Sequence, residues 1–138
     1  MLELYCKRAD LEDGMDILDI GCGWGSLSLF LAKKYPKANI TGISNSSSQK
    51  LFIDNEASKR NLRNLKIITS DINDFKSSKH FDRIISIEMF EHTKNSKKLL
   101  NSINSWLNPK GCFFMHVFAH KDNPYYFDKD QDNAWMAS

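Results

Sequence analysis

Apolar residues in this chain fall into two alternating kinds of stretch. One kind is short and largely apolar, with a continuous β-branched core in the fourth: 16–20 (Asp-Ile-Leu-Asp-Ile), 38–44, 65–70, 81–88 and 112–118. Runs of this length with few polar breaks suit parallel strands buried on both faces. The other kind spaces its apolar residues at helical intervals. Leu27, Leu29, Phe30 and Leu31 lie between Ser26 and Tyr35; Leu51, Phe52 and Ala57 follow Ser46; Leu99, Leu100, Ile103, Trp106 and Leu107 close a stretch that begins near Asn95. Leu2, Leu4, Tyr5 and Ala9 add one side of a short lead-in helix.

The punctuation agrees with this division. Pro36 stops the first long helix. Ser46 and Gln49 have the S-x-x-Q spacing of a capping box, so a helix begins there. Residues 73–80 read as a loop with one turn of helix, and Asn108-Pro109-Lys110-Gly111 as a turn before the fifth strand. After Ala119 the chain becomes polar and aromatic, and no further strand is expected.

Strands alternating with helices imply an α/β fold: a parallel sheet with helices on both faces. Right-handed crossovers give the strand order 3-2-1-4-5. The 138 residues read as a single domain, 1–138. Ligands in such sheets sit beyond the carboxyl ends of the strands, where the order reverses between strands one and four. The loops after Ile20, Ser44, Ser70, Glu88 and Phe118 all open onto that edge.

The first of these loops stands out. Asp19-Ile20-Gly21-Cys22-Gly23-Trp24-Gly25 places glycine at every second position. Glycines so spaced admit positive φ and close approach of a ligand to the backbone. A helix follows, whose N-terminus favours an anionic group. The spacing is not the G-x-G-x-x-G of dinucleotide sites, since the third glycine comes one position early.

Composition narrows the picture without directing it. Hydrophobic residues make up 41% and charged residues 26%, as in an ordinary soluble domain. The net charge of +2 gives no argument for nucleic acid as a partner. No apolar run approaches the roughly 18 residues of a membrane span, and the first residues do not form a signal sequence. Cys6, Cys22 and Cys112 are scattered and make neither a disulfide framework nor a zinc pattern. The four histidines form no metal-spacing cluster, so no metal is expected. Free thiols suit a reducing compartment, hence a cytoplasmic expectation.

The D-x-G-x-G-x-G stretch resembles the first motif of class I S-adenosylmethionine (SAM)-dependent methyltransferases. Together with Ser86-Ile87-Glu88-Met89-Phe90-Glu91-His92 it resembles the cyclopropane-fatty-acid synthase-like family, closest to its coclaurine N-methyltransferase-like branch. The resemblance covers nearly the whole chain. It implies a Rossmann-like fold, SAM as cofactor, and methyl transfer to a small-molecule acceptor. The family carries a helical extension before the lead-in helix, with strands six and seven and a substrate-covering insertion after strand five. Those are expected to be missing here, with a dimer or a partner-supplied segment left open.

The resemblance carries over residue by residue. It places Gly21, Gly23 and Trp24 along the methionine end of SAM. Asp19 holds the loop or reaches the ammonium through water, or is purely structural. Strand two ends without the acid that many methyltransferases use for the ribose; Ser44, Asn45 and Gln49 take that place, unless they only cap the helix. Asp71 is positioned to accept the adenine exocyclic N–H while Ile72 offers an apolar face, or Asp71 merely forms a turn. Glu88, Glu91 and His92 are the catalytic candidates. An amine acceptor is protonated at neutral pH, and a carboxylate beside an imidazole can take its proton. Glutamate rather than glycine at position 88 favours an amine over a lipid chain. His116 corresponds to a bicarbonate-holding position in the lipid branch, but reads equally as a core residue. Tyr125-Tyr126-Phe127 either walls a substrate or forms a loose end.

Three readings remain in play: N-methylation of a small amine, carbon methylation of an unsaturated lipid, and a non-catalytic SAM-binding module.

Overall fold

A computed structural model describes residues 2–87, 96–116 and 124–128. In chain order the elements are α1 (Leu2–Arg8), β1 (Asp16–Ile20), α2 (Ser26–Lys34), β2 (Asn39–Ser44), α3 (Ser47–Lys59), β3 (Leu65–Thr69), β4 (Phe81–Ile87), α4 (Ser96–Trp106), β5 (Leu107–His116) and β6 (Pro124–Asp128). They form one six-stranded sheet in the order β3-β2-β1-β4-β5-β6. The first five strands are parallel and follow the expected 3-2-1-4-5 order.

β1 lies in the middle of the sheet. Ile17, Leu18, Asp19 and Ile20 pair with Ile40, Thr41, Gly42 and Ile43 on one side and with Arg83, Ile84, Ile85 and Ser86 on the other. Its alternating residues feed two different cores. Leu18 and Ile20 join Ile84, Phe113 and Met115 under Leu99, Ile103 and Trp106 of α4. Ile17 joins Ile40, Ile85 and Phe114 beneath Leu27 and Leu31 of α2, with Cys6 of α1. A third cluster, around Ile53, seats α3 against Leu29 and Ile67. Both faces are therefore covered, which is why these strands read as continuous apolar runs.

The amino ends of the strands are pinned together by polar groups. Asp82 accepts from the Asp16 N–H (2.8 Å) and from Asn108 Nδ2 (2.9 Å). The buried Arg83 donates from Nε to the Ala9 carbonyl at 2.8 Å and pairs with Asp10 at 3.6 Å. Asn64 Nδ2 reaches the carbonyls of Ala32, Tyr35 and Ala38 at 2.9–3.1 Å and closes the end of α2.

The structure departs from the sequence expectations in several places. A sixth strand exists: β6 runs antiparallel to β5, from Cys112 opposite Asp128 to His116 opposite Pro124. Its polar flanks hide it, but Tyr-Tyr-Phe is a β-favouring core, and Pro124 takes the first position, where a strand tolerates a missing N–H. The stretch read as a substrate wall or a loose end is thus paired in the sheet and is not a loose end. The turn at 108–111 sits within β5, where pairing jumps from Phe81–Leu107 to Arg83–Cys112. Leu4, expected on one side of α1 together with Ala9, is exposed while Ala9 is buried. Residues 71–75 make a turn, with the Asp74 N–H on the Asp71 carbonyl at 2.9 Å, and no helix follows before β4.

Candidate functional site

The switch point lies at the carboxyl end of β1, where the chain leaves toward β2 on one side and later returns to β4 on the other. The loop above it takes its shape from glycine. Gly21, Gly23 and Gly25 have φ of 66°, 57° and 87°, all in the left-handed region. The Cys22 N–H bonds to the Ile43 carbonyl at 2.9 Å, fixing the loop to β2. The Gly25 N–H returns to the Cys22 carbonyl at 2.9 Å, and the Gly25 carbonyl receives the Leu29 N–H at 2.8 Å as α2 begins.

The glycines are needed for different reasons. A Cβ on Gly25 would lie 2.6 Å from Cγ1 of Ile53, so this position lets α3 close against the loop. A Cβ on Gly23 would meet nothing within 4 Å. Only its backbone conformation demands glycine, and the space before it is open. No acidic residue stands in the first turn of α2, so the N–H groups there face no competing carboxylate of their own helix.

Asp19 lies beneath the loop and is only 3% exposed. Its Oδ2 accepts from Ser28 Oγ at 2.7 Å, tying β1 to α2. Burial raises its carboxyl to about 7, against the lowering effect of the Ser28 bond. Burial and the neighbouring Asp19 charge push the Cys22 thiol up to about 12. Cys22 is therefore a small buried filler and no nucleophile at neutral pH.

Ser44, at the end of β2, is 2% exposed. Its hydroxyl donates to Gln49 Oε1 at 2.8 Å and accepts from the Ser46 N–H at 3.1 Å. Ser46 caps α3 by accepting the Gln49 N–H at 3.3 Å. Only half of the expected capping box forms, because the Gln49 side chain turns to Ser44 instead of returning to Ser46. Asn45 is exposed. Asp71 is also exposed and accepts from the Asn73 N–H (2.9 Å) and Nδ2 (3.1 Å), the turn-forming arrangement. Ile72 is buried in the cluster under α4.

Trp24 is 58% exposed and meets Phe52 edge-on, with ring centroids 5.5 Å apart and planes at 88°. The structure thus brings the glycine loop, Asp19, Trp24, Ser44, Asn45, Gln49 and the Asp71 turn to one edge of the sheet. Glu88, Glu91 and His92 lie outside the described residues; they follow directly on β4 in the sequence. Of His116 only the backbone pairing, to Ile87 and Pro124, is described.

Sequence reasoning missed three residues of this neighbourhood. Ser28 is the partner of Asp19, but at nine residues' distance it looks like any polar helix position. Gly42 in β2 has no room for a side chain, since a Cβ would lie 2.8 Å from Ile67 Cδ1 and 3.1 Å from Ser28 Oγ. A lone glycine inside an apolar strand was the available signal for it. Phe52 reads as a core residue of α3, yet it stands half-exposed against Trp24.

The sequence profile of the mycolic acid cyclopropane synthetase family matches residues 1–138. The chain belongs to this family. Among curated relatives, (S)-coclaurine N-methyltransferase of Thalictrum flavum subsp. glaucum is 42% identical over 136 residues, covering 99% of this chain and 38% of that enzyme. Cyclopropane-fatty-acyl-phospholipid synthase of Escherichia coli strain K12 is 33% identical over 122 residues, covering 87% of this chain and 30% of that one. The crystal structure of coclaurine N-methyltransferase bound to N-methylheliamine and SAH superposes with a TM-score of 0.83 at 43% identity, over 85% of this chain and 35% of that one. This member of the family thus spans less than two-fifths of the length of these relatives. Among its described residues no helix is long and apolar enough to cross a membrane, and no group of three or more His, Cys, Asp or Glu side chains is placed to hold a metal ion.

Proposed function

We propose that residues 1–138 form the SAM-binding core domain of a methyltransferase that N-methylates a small-molecule amine. The observation that carries this reading is the loop of three left-handed glycines at the switch point, open at Gly23, in a chain 42% identical to an N-methyltransferase over nearly its whole length.

The residues at this edge suit an aminoacyl nucleoside sulfonium. A Cβ at Gly23 would enter the open space above the loop, and glycine there leaves it to a ligand. Gly21, Gly23 and Trp24 would hold the methionine end, with the Gly21 carbonyl as acceptor for the ammonium. Asn45 and Gln49 would hold the ribose diol without a carboxylate, and the Asp71 turn would hold the adenine. Asp19, bonded to Ser28, holds the loop from below. When bound, SAM supplies an electrophilic methyl group on sulfur.

The remaining tasks fall to side chains. The acceptor amine must lose its proton before its lone pair can act, and Glu88, Glu91 and His92 are the groups assigned to that step. The carboxylates also favour the cationic product, and fixing the amine in line supplies much of the rest of the acceleration. The amine reading stands ahead of carbon methylation of a lipid because the N-methyltransferase relatives are the more similar, 42% identical against 33%.

The test is methyl transfer from labelled SAM to a panel of secondary and tertiary amines, with an unsaturated phospholipid in parallel, each with and without bicarbonate. Labelled amine is the expected product, lost in Glu91→Gln. Transfer confined to the lipid and dependent on bicarbonate would replace the reading with the lipid one. SAM binding with no transfer to any acceptor would leave a binding module.

A further inference from the structure

We propose that Ser44 is a positioning residue: it fixes the Gln49 carboxamide so that its NH₂ group, and not its oxygen, is presented to the ribose. This inference rests on the SAM reading above and adds to it the way in which the neutral diol grip is aimed.

The geometry begins with a buried hydroxyl whose one hydrogen is already committed within the protein. Ser44 is 2% exposed, so a ribose cannot reach its Oγ directly. Its single hydrogen has two acceptors within range, Gln49 Oε1 at 2.8 Å and the Ser46 carbonyl at 3.3 Å, and the shorter contact takes it. One of its lone pairs receives the Ser46 N–H at 3.1 Å. Ser44 is itself held, because its carbonyl accepts the Ser70 N–H at 2.8 Å from the end of β3. The start of α3 thereby holds the Ser44 side chain, and the end of β3 holds its backbone.

Gln49 is the partner that this hydroxyl orders. Its backbone is fixed in the first turn of α3 by the Ser46 cap, but its side chain has three torsions to order. The bond from Ser44 occupies Oε1, and Nε2 has no partner among the described residues. A glutamine with its oxygen engaged is a pure donor at its free end. Holding it in place before the ligand arrives removes part of the ordering cost of binding. A strand-end acid would grip a ribose as a charged acceptor; this pair does so as a neutral donor, and only in one amide orientation.

The test is a double-mutant cycle read by calorimetric titration with SAH, using Ser44→Ala, Gln49→Ala and the double variant, with thermal melts run alongside. Gln49→Ala leaves the backbone cap intact. Each single change is expected to weaken SAH binding roughly fivefold, the worth of one neutral hydrogen bond. The double variant should bind no more weakly than Gln49→Ala alone, since Ser44 acts only through Gln49. Ser44→Thr, which keeps the hydroxyl, should restore most of the affinity. Ser44→Cys, with a weak donor of similar size, should bind like Ser44→Ala and serves if the alanine variant does not fold. A ligand-free readout accompanies these: the Gln49 side-chain NH₂ signals in a ¹H–¹⁵N spectrum should be dispersed in the wild type and collapse toward free-amide positions in Ser44→Ala. Unchanged affinity in the Ser44 variants, multiplying penalties in the double variant, or unmoved Gln49 signals would each overturn the proposal. Absence of SAH binding by the wild-type chain would instead overturn the SAM reading itself.

Discussion

Replacing Asp19 by asparagine should make the protein more stable at pH 8 and leave it nearly unchanged at pH 4. The carboxyl is buried at the centre of the sheet, and Ser28 Oγ at 2.7 Å offsets only part of its desolvation. Its pKa rises from an ordinary 3.8 to about 7. At about 1.4 kcal/mol per pH unit, the ionised side chain burdens the native state by about 4 kcal/mol above pH 7. That value is an upper bound, because relaxation around a buried charge raises the local dielectric response. The direction follows from proton counts. Between 3.8 and about 7 the native state keeps a proton that the unfolded chain has lost, so native stability falls as pH rises through that window. Below 3.8 both states are protonated and the group contributes nothing; above 7 the full burden applies. Urea unfolding at half-unit steps from pH 4 to 8 measures this directly. The difference between Asp19→Asn and wild type should start near zero and grow to a few kcal/mol by pH 8 in favour of the variant. Parallel curves, or a variant less stable at pH 8, would refute the assignment of the raised pKa to burial.

The remaining predictions concern the glycine loop and the opposite, amino-end edge of the sheet. Gly25→Ala should cost about 3 kcal/mol or more, because its Cβ meets Ile53 at 2.6 Å on a backbone already at φ 87°. Gly23→Ala, with nothing near its Cβ, should cost only the left-handed strain of about 1–2 kcal/mol in a denaturant titration. Asn64→Ala leaves three clustered carbonyls at the end of α2 without their shared donor and should cost about 2 kcal/mol by the same measurement, with cofactor affinity unchanged.

Much of the fold was legible because the strands are buried on both faces. Continuous apolar runs located β1, β2, β3 and β4 to within a residue or two, and crossover handedness then ordered the sheet. The glycine loop and the Ser46 cap were legible because each depends on residues adjacent in the chain. What stayed hidden depends on distant neighbours. β6 forms because β5 offers an unpaired edge, which no local pattern announces. The contact between Gly25 and Ile53, the choice of Gln49 to bond Ser44, and the single Asn64 amide serving the end of α2 all arise where separate elements meet. Asp19 was legible as an acid before the loop; that it is buried and bonded to Ser28 required the packing of α2 on β1.

The most direct test of the central claim is a calorimetric titration of the wild-type chain and Gly23→Ala with SAM. The account predicts saturable one-to-one binding by the wild type. It also predicts at least a tenfold loss in the variant, whose added methyl enters the ligand's space while the fold persists. Absence of binding by the wild type, or equal affinity in a folded Gly23→Ala, would contradict it.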